Sequence, residues 1–241
     1  MEAVGRFVVR FKVHRPAGEE NFDTAKHYFS RGREATYLAA AAKAPYHLTA
    51  EFAVGAASGI ERGTYEDTWV STTEWRREAS IGDSRVIRTQ SGDHFYRSVD
   101  GSQSNLLLMI LRVLEPIPAE DTMTESDWRI RRDTVEGLPT IRVARGEEEQ
   151  NGDLMPSNAE GFWFDESGRL VKYVVERSEI RLTNVEQYDG VPVPRLISVY
   201  QSGNLVMRIQ VKEIAPADSA KEKDFKLEGH EWKRAFTAEV R

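Results

Sequence analysis

The stretch Gly63–Ser80, "GTYEDTWVSTTEWRREAS", decides how the rest of the chain is read. It sets the aromatics Tyr65, Trp69 and Trp75 among the acids Glu66, Asp67, Glu74 and Glu78 and the adjacent arginines Arg76 and Arg77. Such a mixture occurs both in carboxylate active sites and on the two faces of a sheet. Side chains alternate sides along a strand. Tyr65, Asp67, Trp69 and Ser71 therefore share one face, and Thr64, Glu66, Thr68 and Val70 the other. The phase breaks at Thr72 and Thr73, after which Trp75, Arg77 and Ala79 lie opposite Arg76 and Glu78. A catalytic carboxylate pair must flank one cleft at a set separation, whereas acids adjacent in a strand point apart. The stretch reads as a hairpin that walls a sheet, with no catalytic residue assigned.

The same alternation runs through most of the chain beyond Pro45. It predicts strands near 46–54, 62–71, 73–80, 84–90, 94–99, 128–133, 138–145, 160–165, 169–177, 179–187, 193–201 and 204–214. Turn signals such as Gly92, Asp100-Gly101, Ser167-Gly168, Asp189-Gly190 and Ser202-Gly203 separate many of them. Intervals this short favour antiparallel hairpins, because a parallel crossover needs a dozen or more residues. One further strand is expected at 5–13, "GRFVVRFKV".

Two segments break the pattern. From Asn21 the apolar positions Phe22, Ala25, Phe29, Ala35, Leu38 and Ala42 fall near helical spacing, with Asn21 or Asp23 as cap and Pro45 as the end. Gly32 weakens that helix in its middle. Residues 103–114, "QSNLLLMILRVL", are apolar nearly all round and predict a short helix buried against the sheet, capped by Ser102 or Ser104. The polar segment 148–158 reads as a loop, and Gly55–Gly59 as a hairpin tip without the spacing of a nucleophile elbow. The expected organisation is a single domain over 1–241: an N-terminal strand and helix (1–43), a half-barrel (44–228) and a tail (229–241).

Composition narrows the function classes. The net charge of −6, from 33 basic and 39 acidic residues interspersed along the chain, gives no concentrated basic surface for nucleic acid. The absence of cysteine removes disulfides, thiolate metal sites and thiol nucleophiles. The five histidines are dispersed without metal-ligand spacing, so no metal or cofactor is expected. The longest apolar run, Leu106–Leu114, is interrupted by Arg112 and is about half of the ~20 residues that span a bilayer. The N-terminus lacks the pattern of a signal peptide. Arg129, Arg131 and Arg132 form a cluster able to grip a phosphate, although a solvated strand face is the simpler reading.

The order of these features resembles that of the periplasmic lipoprotein carriers of the LolA type. "GTYEDTWVSTTEWRREAS" resembles their first hairpin, with threonine near Thr72 in place of the family's proline. "IRTQSGDHFYRSVDG" is similar to the strand pair that follows, then comes the apolar helix "NLLLMILRVL", then the paired strands of "AEGFWFDESGRLVKYVVERSEIRLTNVEQY". Phrases like these and like "YDGVPVPRLISVYQSGNLVMRIQVKEI" also occur in acidobacterial envelope proteins related to TonB. The resemblance covers about residues 46–228. It implies a mainly β (α+β) protein: an antiparallel sheet of about eleven strands, curled as an incomplete LolA/LolB-like barrel around helices. It also implies a periplasmic or envelope location and a non-enzymatic role in binding a lipid, acyl chain or acylated protein in the concave face. The alternative is a structural or interaction module with an envelope protein as partner.

An acyl cradle needs apolar and aromatic side chains around a concavity, with few polar groups to desolvate. The candidates are Phe52, Trp69, Trp75, Phe95, Leu107, Ile110, Leu111 and Val174. A filled β core would use the same residues, so cavity and core both remain open at this point.

Overall fold

The computed structural model describes residues 17–56, 59–115, 117, 123, 128–145, 160–175, 177–217, 220, 222–228 and 230. The strand expected at 5–13 and the loop at 148–158 lie outside them. Downstream of Pro45 each alternating run forms a strand. These are β1 (Tyr46–Ala56), β2 (Gly59–Ser71), β3 (Glu74–Ile81), β4 (Ser84–Ser91), β5 (His94–Asp100) and β6 (Arg129–Val135). They continue with β7 (Leu138–Arg145), β8 (Glu160–Asp165), β9 (Leu170–Val175), β10 (Ser178–Tyr188), β11 (Val191–Gln201) and β12 (Asn204–Pro216). The described sheet has twelve strands where the resemblance implied about eleven.

All neighbours pair antiparallel, in the order β5-β4-β3-β2-β1-β12-β11-β10-β9-β8-β7-β6. Chain order is kept except where β1 meets β12, which brings the two ends of the strand series together at the centre. β5 and β6 are the two edges, so the sheet is open. The hairpins β10–β11 and β11–β12 turn through Asp189-Gly190 and Ser202-Gly203, with φ of 49° and 78° in each pair. Two positive φ values make the type I′ turn whose twist matches that of the flanking strands. Glycine takes the second position because it lacks a Cβ to clash.

Among the described residues three helices cover the inner face: α1 (Ala17–Thr36), α2 (Leu38–Ala41) and α3 (Ser104–Val113). α1 packs against β6, β9 and β11, and α3 against β3 and β4. These strands are far apart in the sheet, yet their inner residues join one apolar cluster, so the sheet curls around the helices. α1 starts at Ala17, which places Asn21 and Asp23 inside the helix rather than at its cap. It stops at Tyr37, whose extended backbone (φ −96°, ψ 120°) separates it from α2 well before Pro45. Gly32 is a contact and not a break: a Cβ there would lie 2.4 Å from Cε1 of Phe164, so the helix backbone rests on the sheet at that point. α3 is capped by neither Ser102 nor Ser104. Its N-cap is Gln103, which makes no side-chain cap bond and whose N–H donates to Ser84 Oγ at 3.0 Å.

The outer face is polar and partly covered. Glu78 accepts from Arg85 Nε at 2.6 Å across to β4 and from Arg76 Nη2 at 3.0 Å along β3 itself. A 3-10 turn at Glu222–Phe225 crosses this face of β3 and β4 with Phe225 fully buried and its carbonyl accepting from Thr89 Oγ1 at 2.8 Å. The Arg97 N–H on edge strand β5 donates to the carbonyl of His230 at 3.0 Å. Occupying an edge N–H in this way limits unwanted strand pairing.

Candidate functional site

The hairpin β2–β3 has the faces its alternation requires. Tyr65, Asp67 and Trp69 are 3%, 7% and 9% exposed, and their partners across the pair are Ala79, Arg77 and Trp75. Inward-facing side chains of β1–β5 and β10–β12, the end of α3 and the segment Arg33–Ala40 enclose a cleft of about 550 Å³. Of the residues expected to line a ligand site, Trp69, Trp75, Phe95 and Leu111 line this cleft.

The other four are placed elsewhere. Leu107 and Ile110 are fully buried in the face of α3 that packs on the sheet, where spacing of three residues puts them on one side. Phe52 is 1% exposed and its ring lies over Gly63, where a Cβ would come within 2.2 Å of Cζ. Val174 neighbours Tyr173 on β9, and Tyr173 points into the core against Phe162. Alternation therefore turns Val174 to the outer face.

The cleft carries a polar group that an acyl cradle was not expected to hold. Tyr46 donates its hydroxyl to Asp67 Oδ2 at 3.0 Å, and its ring stacks on Trp69 at 5.7 Å between centroids. Arg77 pairs with Asp67, Nε to Oδ1 at 3.4 Å, and with Glu115, and its guanidinium lies 4.7 Å from the centre of the Trp75 ring. The Nε–Oδ1 approach is an ion pair without a hydrogen bond, and both atoms are buried with no hydrogen-bond partner among the described residues. Burial works against the Arg77 cation, but Asp67, Tyr65 and Tyr46 together outweigh it and raise its pKa. Burial, with Asp67 adding to it, holds the Tyr46 and Tyr65 phenols well above their usual range. Trp75 Nε1 donates to Gln90 Oε1 at 2.8 Å, which fixes the indole against the wall.

The helical side is held by two bonds to the backbone of one residue. Tyr37 Oη accepts from the Ile117 N–H at 2.7 Å, and Arg33 Nη1 donates to the Ile117 carbonyl at 2.8 Å. Burial raises the Tyr37 pKa well above its usual value, so this phenol stays neutral. The extended residue between α1 and α2 thus anchors the chain leaving α3. Both carboxylates of the cleft, Asp67 and Glu115, are engaged by Arg77, so neither is a ready general base.

No family model matches the sequence, and no curated protein matches it. Solved structures do. A domain described as an outer membrane lipoprotein-sorting protein from Vibrio parahaemolyticus aligns over 86% of this chain and 97% of its own, with 10% identity and a TM-score of 0.51. A DUF1329 family protein from Desulfovibrio piger aligns over 86% and 96%, with 9% identity and a TM-score of 0.54. A LolA superfamily protein from Nitrosomonas europaea aligns over 84% and 97%, with 10% identity and a TM-score of 0.53. At such identities the likeness is one of fold, and the fold of this chain is LolA-like: an open antiparallel sheet curled around helices.

Proposed function

We propose that the protein binds an acyl chain, free or attached to a lipid or protein, in the cleft beside Trp69 and Trp75, and that it is not an enzyme. The observation that carries this reading is the cleft itself, about 550 Å³ on the inner face of an otherwise packed sheet. That size falls within the ~300–1,000 Å³ of small-molecule sites. Burial gains about 0.8 kcal/mol per methylene, so ten methylenes gain about 8 kcal/mol before the costs of immobilisation. Trp69, Trp75, Phe95 and Leu111 supply the apolar wall, and α2 with the end of α3 forms the cover. A LolA-like fold supports this use, since one of the similar structures is described as a lipoprotein-sorting domain. The same likeness supports an envelope location and a lipid or acylated protein as partner. No described helix is long and apolar enough to cross a membrane.

Native mass spectrometry of protein prepared without detergent, together with titration by a fluorescent fatty acid, tests this. Expected are bound lipid masses or saturable binding at one site, weakened by Trp75→Ala. Absence of both overturns the reading.

A further inference from the structure

The registers of β3, β4 and β5 place three arginines in a row. Arg77 is directly opposite Arg88, and Arg88 directly opposite Arg97. Like charges directly opposed destabilise a sheet, so this row carries a cost that the fold alone does not explain. Arg77 is met by Asp67 and Glu115. Among the described residues no carboxylate is paired with Arg88 or Arg97, and Arg97 Nε is buried without a hydrogen-bond partner. Burial lowers the Arg88 pKa, and the Arg97 and Arg77 charges lower it further, which marks a cation held where nothing yet compensates it.

The next row along the same inner face is Trp75–Gln90–Phe95, in register across the same three strands. Trp75, Gln90, Phe95, Arg77 and Arg88 all line the cleft, and Arg97 shares the face of β5 that carries Phe95. A wall of rings thus runs beside a wall of guanidinium groups. Arg33 adds a further cation to the lining, against the two carboxylates already engaged by Arg77. Guanidinium forks bind carboxylate and phosphate oxygens through paired hydrogen bonds, most strongly where water is scarce. We propose that the Arg77–Arg88–Arg97 row is a head-group subsite, and that the ligand is a single-chain amphiphile with an anionic phosphate or carboxylate head. This rests on the cleft being a chain-binding site.

The test follows Trp fluorescence of delipidated protein titrated with dodecyl phosphate, dodecanol and inorganic phosphate, each below aggregation. Dodecyl phosphate is expected to bind at least about tenfold tighter than dodecanol, the size of one or two charge-assisted hydrogen bonds. Arg88→Gln with Arg97→Gln should remove that preference, so that the ester binds no tighter than the alcohol. High salt should weaken the phosphate ester selectively in the unmodified protein, a readout that needs no variant to fold. Equal binding of ester and alcohol overturns the head-group subsite while the chain-binding reading stands. Inorganic phosphate binding as tightly as the ester replaces the amphiphile by a soluble anion. If no dodecyl compound binds, both proposals fall together.

Discussion

Where α1 lies across β6, β9 and β11, the inner face is filled with rings; where α3 lies across β3 and β4, part of it stays open. In the first region Phe29 makes edge contacts with Trp128, Phe162 and Phe164 at 5.2, 4.8 and 6.0 Å, and Gly32 lets the helix backbone settle onto Phe164. In the second, α3 is only ten residues long, and beyond Leu111 the space is bounded by Trp69, Trp75, Phe95 and the Asp67–Arg77 pair. One curled sheet is therefore packed as core on one side and left open as a cleft on the other. The division of labour follows from helix length and from which inward side chains are charged.

The largest effect that can sharpen this contrast lies on the alkaline side. Tyr37, Tyr46 and Tyr65 line the open region and Tyr173 the filled one, and burial raises the pKa of all four. A phenol whose folded pKa is raised favours the fold fully below its unfolded pKa of about 10, and that contribution is lost as pH climbs from there towards the folded value. Stability should fall above about pH 10 by about 1.4 kcal/mol per pH unit for each such tyrosine. Urea midpoints between neutral and alkaline pH measure the fall, and tyrosinate absorbance shows whether these four ionise only on unfolding. Ionisation of Tyr46 and Tyr65 at ordinary values would mean that water floods the open region as far as its floor.

Truncation compares the two regions directly. Phe29→Ala empties a fully enclosed position and should cost about 3–5 kcal/mol. Trp75→Ala removes a larger side chain that is only half-buried at the edge of the cleft, and should cost less, because fewer enclosed contacts are lost. Equal losses by urea denaturation would show that the cleft wall is packed as tightly as the core.

The hairpin that anchors this contrast was legible because Tyr65 and Trp69 fall at one parity and Glu66 and Thr68 at the other, and the faces read from "GTYEDTWV" are those of the folded chain. Val174 was not, because "LVKYVV" is apolar at both parities and alternation there assigns no face. Phe52, Leu107 and Ile110 have the composition of a cradle, but whether a buried apolar residue meets a cavity or a neighbour depends on distant partners such as Gly63. The arginine row was hidden for a different reason. Arg77, Arg88 and Arg97 stand eleven and nine residues apart, and only the two-residue turns at Gly82-Asp83 and Gly92-Asp93 bring them level. The local cluster Arg129, Arg131 and Arg132 was the visible alternative, yet Arg131 and Arg132 are exposed on edge strand β6. The break at Tyr37 answers to a tertiary bond with Ile117 that helix propensity does not register.

The smallest expected effects separate the inner charges of β3 from its outer ones. Arg77→Met strips a 12%-exposed guanidinium from Asp67, and breaking a pair buried on both sides costs about 3 kcal/mol, because the buried carboxylate loses its cation and keeps only a hydroxyl donor in Tyr46. Arg85→Ala should cost under about 1 kcal/mol although its 2.6 Å contact to Glu78 is the shorter of the two. Arg85 is 51% exposed, so water and salt already screen it, and Glu78 keeps Arg76 at 3.0 Å once Arg85 is gone. Paired urea curves in low and high salt check the difference: the Arg85 loss should vanish with salt and the Arg77 loss should persist. If the two losses were alike, burial would not set the worth of these contacts, and the inner face of β3 would be as wet as the outer one.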